Sequence, residues 1–142
     1  MKVSKIFEFD AAHMLDTHDG KCRNLHGHTY RLEVTLSGSL LQGGPKDGMV
    51  YDFADLKSSV QQWVLSRFDH AFLYDARNPH EAELGRLLEG WGRKTLALPC
   101  RTTAENMAVH IFDSLRRHHL PVSAVKLWET PSSCVEYTGD SA

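Results

Sequence analysis

A chain of 142 residues with 42% hydrophobic and 24% charged residues has the make-up of one ordinary globular domain, residues 1–142, large enough to bury a core. A formal charge of -2, without a Lys/Arg run interleaved with aromatics, offers no broad surface for a nucleic-acid backbone. The N-terminus Met1-Lys2-Val3-Ser4-Lys5-Ile6 lacks the apolar segment of a signal peptide, no apolar stretch approaches membrane-spanning length, and the three cysteines form no C-x-x-C pair; the expectation is a cytoplasmic chain without disulfides.

Residues 3–13 alternate, with Phe7, Phe9, Ala11 and His13 on one face and Ile6, Glu8 and Asp10 on the other, which predicts a first strand. Residues 28–36 alternate more cleanly, placing His28, Tyr30, Leu32, Val34 and Leu36 on one face of a second, half-buried strand. After the turn cluster at 43–48, Asp52 can cap a helix over about 53–67 with the stripe Phe53, Leu56, Val60, Trp63, Val64. Residues 77–100 are the least legible: Glu81 to Trp91 suits a short helix and 94–98 a short extended piece. Thr102-Thr103-Ala104-Glu105 has the form of a capping box, followed by Met107, Ala108, Ile111, Phe112 and Leu115 at helical spacing. Pro121 releases two further strands, Val122–Thr130 and Ser133–Tyr137, joined by Pro131-Ser132. The predicted order is β-β-α-α-β-β.

Nine histidines are the one compositional oddity, and their placement carries the chemistry. His26-Gly27-His28 sets two imidazoles on the same side of an extended chain. His13 ends the buried register of the first strand and converges on them if the two strands pair. Three neutral nitrogens with an open fourth position describe a catalytic zinc site, although any single one of these residues is more often a hydrogen-bonded histidine at a sheet rim. Cys22, four residues before His26 in a polar loop with cationic neighbours, suits a reactive thiolate, a fourth zinc ligand or an inert small residue. Asp69 beside His70 suits a proton relay, though such neighbours are also common on surfaces. Glu129 falls in register with Val125 and Leu127, where an unpaired carboxylate is costly and calls for a ligand edge bearing two N–H groups or for a structural Arg. Glu105 is explained without any ligand as the third-position glutamate of the capping box.

With these residues in hand, the chain resembles the family of 6-pyruvoyl- and 6-carboxy-tetrahydropterin synthases along nearly its whole length. Six motifs carry the resemblance in order: Phe9-Asp10-Ala11-Ala12-His13, Cys22-x-x-x-His26-Gly27-His28, Asp52-Phe53-x-x-Leu56-Lys57, Phe68-Asp69-His70, Thr102-Thr103-Ala104-Glu105-Asn106 and Trp128-Glu129-Thr130. The resemblance implies the α+β tunnelling fold (T-fold): an antiparallel sheet of four strands with two helices on one face, closed into an oligomeric barrel, commonly a hexamer formed as a dimer of trimers. It implies zinc on His13, His26 and His28, Cys22 as catalytic base, Asp69 and His70 as its relay, and Glu129 gripping the pterin ring with Glu105 close by. The implied substrate is dihydroneopterin triphosphate, and the implied product divides the family. Three residues between Cys22 and His26 are similar to the carboxy-forming bacterial members that serve queuosine biosynthesis, whereas pyruvoyl-forming members tend to carry five. A non-catalytic zinc- or pterin-binding module is the alternative from another class, and needs no thiolate. Two departures stand out: the segment between His70 and Thr103 is longer than in the shortest bacterial members, and Thr102 stands where many of them have proline.

Overall fold

The computed structural model describes residues 1–139. Four long strands follow from the alternation: β1 (Lys2–His13), β2 (His26–Ser37), β5 (Val122–Thr130) and β6 (Ser133–Tyr137). Each pairs antiparallel with its neighbour in the order β1-β2-β5-β6. The inward faces of β1, β2 and β5, including Phe9, Tyr30, Leu32, Val34, Leu36, Val125 and Leu127, are buried, and Val135 and Tyr137 of β6 are partly buried against them. Each such side chain contributes roughly 1.5–3 kcal/mol by leaving water.

Two helical runs cover that face. The first is α1 (Phe53–Val60), continued without a break through a π-helical stretch (Gln61–Leu65) into the single turn α2 (Ser66–Phe68). Asp52 caps it, accepting from the Ala54 N–H at 2.7 Å. Leu56, Val60 and Val64 are fully buried, but Phe53, expected in the stripe, stays 52% exposed at the helix start. The last helix, α4 (Ala104–Arg117), buries Met107, Ala108, Ile111 and Leu115. It ends where His119 adopts a left-handed φ of 65° and the Leu120 N–H reaches back to the Leu115 carbonyl at 3.2 Å, a helix-stop geometry that Pro121 then follows.

The four-stranded sheet with two helices was too small an expectation. β3 (Ala71–Asp75) and β4 (Thr95–Leu98) extend the sheet beyond β1, to the order β4-β3-β1-β2-β5-β6. Both join in parallel, so the sheet is mixed. Between them α3 (Pro79–Gly90) packs on the opposite face from α1 and α4, where Phe72, Tyr74 and Ala82 form a second cluster with Ala12, Met14, Leu84 and Leu88 against it. All five residues of β3 are therefore buried. A strand covered on both faces shows no alternation, which is why the sequence does not announce it.

In α3, Gly85 permits this docking: a Cβ there would lie 2.5 Å from Tyr74 Cε1. Alanine normally gains about 1 kcal/mol over glycine inside a helix. Forcing the packed Tyr74 ring aside costs roughly 1–3 kcal/mol. Gly85→Ala should therefore lower stability by about 1 kcal/mol net, read as a lower denaturation midpoint with an unchanged slope.

Candidate metal centre

Antiparallel pairing sets His13 directly opposite His26, and Ala11 opposite His28, so the three rings leave the same end of the β1–β2 ribbon on one side. One ligand atom from each lies within 4.8 Å of the others. The ring centroids are 4.7, 4.9 and 5.3 Å apart. Backbone carbonyls orient two of the rings. His13 Nδ1 donates to the Thr102 carbonyl at 2.9 Å, and His26 Nδ1 donates to the Asn24 carbonyl at 2.7 Å. A carbonyl only accepts, so the proton sits on Nδ1 in each and Nε2 carries the free lone pair.

Two nitrogens of the cluster lack hydrogen-bond partners in a place where that is costly. His13 Nε2 and His28 Nε2 are buried with no hydrogen bond. Burial pushes the His13 imidazole down to about 4, only partly offset by the Thr102 carbonyl, with His26 and His28 adding to the fall. Burial lowers His28 too, against the opposing charge of Glu129. Three converging imidazoles, two of them with buried, unpartnered nitrogens, fit a bound divalent metal, and the donor set suits zinc. The Cys22 thiol is outside this cluster, which among the described residues comprises the three histidines.

Glu129 stands beside the triad, its Oε1 3.6 Å from His28 Nε2, with its side chain 29% exposed. The register of β5 against β6 shifts between Trp128 and Thr130, making Glu129 the extra residue of a bulge that can turn its carboxylate out of the sheet pattern. The side chain nearest its carboxylate is thus the His28 imidazole, which burial disfavours in its charged form, and not an arginine. A cavity of about 460 Å³ lies here, lined by His28, Arg31, Trp128, Glu129 and Thr130 among others.

Asp69 and His70 follow α2 and hold each other, Oδ1 to Nδ1, at 3.0 Å. The Asp10 backbone fastens both: its N–H donates to Asp69 Oδ1 at 3.0 Å and its carbonyl accepts from the His70 N–H at 2.6 Å. Burial pushes the Asp69 carboxyl up, but the Asp10 N–H, His70 and Lys94 together hold it below the usual carboxylate range. His70 takes a left-handed φ of 63°, uncommon for a residue with a Cβ and a frequent mark of functional positions. Its imidazole is 74% exposed and borders a cavity of about 840 Å³ that His28 also lines.

Cys22 sits half-buried in a single 3-10 turn, Lys21–Arg23, and its carbonyl accepts from the Leu15 N–H at 2.9 Å. Glu105 is not the third residue of a capping box. Thr103 is the cap, its side chain accepting from the Asn106 N–H at 3.2 Å, so Glu105 is the second helical residue and is exposed. That removes the structural explanation offered for it from the sequence. Thr102, fully buried against His13, and the Asn24 carbonyl were not anticipated; they act through backbone oxygens, which leave no trace in a sequence. Tyr30 was placed on the correct face, but its role was not foreseen. Its hydroxyl is buried without a partner, and burial, with the Glu129 charge adding, keeps the phenol protonated as a potential donor.

The chain from residue 2 to 140 matches the family model described as 6-pyruvoyl tetrahydropterin synthase. This chain belongs to that family. It is 52% identical over 137 residues to a 6-carboxy-5,6,7,8-tetrahydropterin synthase from Haemophilus influenzae, covering 96% of this chain and 97% of that protein. A protein of the same name from Rickettsia bellii is 36% identical over 142 residues, covering 96% of this chain and 99% of its own length. Among solved structures, the Caenorhabditis elegans 6-pyruvoyl tetrahydropterin synthase superposes with a TM-score of 0.69 at 28% identity, covering 99% of this chain and 96% of that one. Membership in the tetrahydropterin synthase family makes the chain an enzyme.

In the metal-free protein, an unfolded chain takes up a proton on His13 near pH 6.5, while the folded chain does so only near pH 4. Between those values the unfolded state holds more protons, so stability falls as pH drops. The loss from this histidine should approach about 3 kcal/mol on going from pH 7.5 to below 4. Denaturant titrations in the presence of a chelator should show this slope, and His13→Gln should flatten it.

Proposed function

We propose that this chain converts 7,8-dihydroneopterin triphosphate and water to 6-carboxy-5,6,7,8-tetrahydropterin, acetaldehyde and triphosphate, in the biosynthesis of queuosine. The observation that carries this reading is the 52% identity, over 97% of its length, to the Haemophilus influenzae protein bearing that name. The three-residue gap between Cys22 and His26 supports the same product over the 6-pyruvoyl compound.

His13, His26 and His28 hold the metal, read as zinc. When bound, zinc supplies Lewis acidity toward the substrate's side-chain oxygens, which makes the adjacent C–H bond easier to break. Cys22 takes that proton as a thiolate. His70, with Nδ1 fixed by Asp69, presents Nε2 for the next proton transfer, and the low position of the Asp69 carboxyl keeps it ionised for that task. Glu129 accepts from the ring and amino N–H groups of the pterin, and Trp128 next to it gives the cavity an aromatic wall. Glu105, released from any capping duty, is an additional pterin contact. We extend the reading to a cytoplasmic homo-oligomer, a hexamer built as a dimer of trimers. Asp69 and His70 are 43% and 74% exposed in the lone subunit, whereas proton transfer at a reacting carbon calls for a covered site, which a neighbouring subunit would complete.

Incubating the purified protein with 7,8-dihydroneopterin triphosphate and identifying the pterin by mass spectrometry tests the reaction. A 6-pyruvoyl product would overturn the carboxy assignment, and no turnover would favour the binding-module alternative. Cys22→Ala should lose about 10²–10⁴-fold in kcat while keeping metal content and pterin affinity, because a base acts on the barrier. Glu129→Gln should weaken pterin binding by about 2–5 kcal/mol, since an amide N–H then faces a donor. If the variant instead binds as the parent does and melts lower, Glu129 is a structural partner of His28.

A further inference from the structure

The loop between β1 and β2 links two of the histidines and carries Cys22, so its course decides where the thiol stands. Inside the loop, the Leu15 N–H donates to the Cys22 carbonyl at 2.9 Å and the His18 N–H to the Leu15 carbonyl at 2.8 Å. The next residue, Asp16, is held from outside. Its N–H donates to Glu81 Oε2 at 3.4 Å, and its Oδ2 accepts from Asn78 Nδ2 at 3.2 Å and from His80 Nδ1 at 2.9 Å. All three partners lie at the start of α3. Glu81 is 2% exposed, and its other oxygen accepts from the Asp75 N–H at 3.1 Å, so one buried carboxylate ties the loop to β3. Asp75 is braced in turn by Arg77 through two contacts of 3.0 Å, and Met14 packs on the Phe72, Tyr74 and Ala82 cluster beneath α3.

We propose that Asn78, His80 and Glu81 are positioning residues that fix the Cys22 loop through Asp16. This rests on the reading of Cys22 as the base. The physical logic is leverage between adjacent residues: Asp16 is clamped to α3 while its neighbour Leu15 is hydrogen-bonded to Cys22 itself. The Asn24 carbonyl that orients His26 lies farther along the same loop. Releasing Asp16 therefore moves the thiol first. A shift of about 1 Å at a reacting group costs on the order of 10²-fold in rate. The segment whose length departs from the shortest family members thus acquires a task. It carries α3, and α3 holds the base in place.

Asn78 allows a test that spares the helix. Its Oδ1 caps α3 by accepting from the Glu81 N–H at 3.0 Å, while its Nδ2 serves Asp16. Asn78→Asp keeps an oxygen for the cap, at which Asp and Asn serve equally, but turns a second carboxylate toward Asp16. At pH 8 both are ionised and repel. The expected result is a fall in kcat of about tenfold or more. KM, zinc content and melting temperature should stay close to the parent, and the rate of Cys22 alkylation by iodoacetamide, read by peptide mapping without substrate, should change several-fold. Adding Asp16→Asn to Asn78→Asp restores one donor and one acceptor with the polarity reversed, and should recover both kcat and the alkylation rate. Parent-like kcat and alkylation in Asn78→Asp would overturn the proposal. So would losses that track zinc or melting temperature and that Asp16→Asn does not rescue. Turnover by Cys22→Ala would instead refute the base assignment, and the alkylation measurement would still report whether α3 holds the loop.

Discussion

The register of β1 against β2 is the constraint on which the remainder depends. It runs from Lys2 opposite Ser37 to His13 opposite His26, and along it Phe7 faces Leu32 and Phe9 faces Tyr30 on the core side. A slip of one residue would carry those side chains to the other face of the sheet, and the same slip would part His13 from His26. Burial of the apolar pairs thus also specifies where the three histidines meet. The chain does not need a separate device to gather the histidines, because the core gathers them.

What the core supplies in position it withholds in solvation. His13 and His28 each keep a buried nitrogen without a partner, and the Tyr30 hydroxyl is a third orphan among the same rings. Each such group costs about 1–3 kcal/mol when nothing meets it. Phe9 stacks on Tyr30 at 5.0 Å and Phe68 meets Phe9 edge-on at 5.6 Å, which packs the Tyr30 ring in place. A site built in this way is poised for a ligand that satisfies several of these groups together. The pull of Glu129 on His28 belongs to the same design, with a bulge rather than a regular strand position supplying the carboxylate.

Legibility in the sequence follows the number of covered faces. β1, β2 and β5 each have one strongly buried side, so period-two alternation exposed them; β6 buries no residue fully and was marked by Pro121 and the Pro131-Ser132 link, and both bounds of β5 and β6 agree with expectation. α4 was legible for the same reason at helical spacing. β3 was invisible because Ala71–Asp75 is buried on both sides, and without it the position of α3 on the far face could not be inferred. The motif residues were found through their side chains. Their supports, the carbonyls of Thr102, Asn24 and Asp10, are backbone atoms, and residue identity does not encode them. The capping-box explanation of Glu105 failed by one residue of register, since two adjacent threonines compete for the cap and only Thr103 takes it; Thr102 faces His13.

In the proposed site three imidazoles alone hold the metal, and the Cys22 thiol stays off it for proton transfer. X-ray absorption at the zinc edge, on the zinc-loaded protein without substrate, tests it most directly. The spectrum should show nitrogen and oxygen scatterers at about 2.0–2.1 Å and no sulfur. A sulfur scatterer at about 2.3 Å that disappears in Cys22→Ala would make the thiol a ligand and contradict the account.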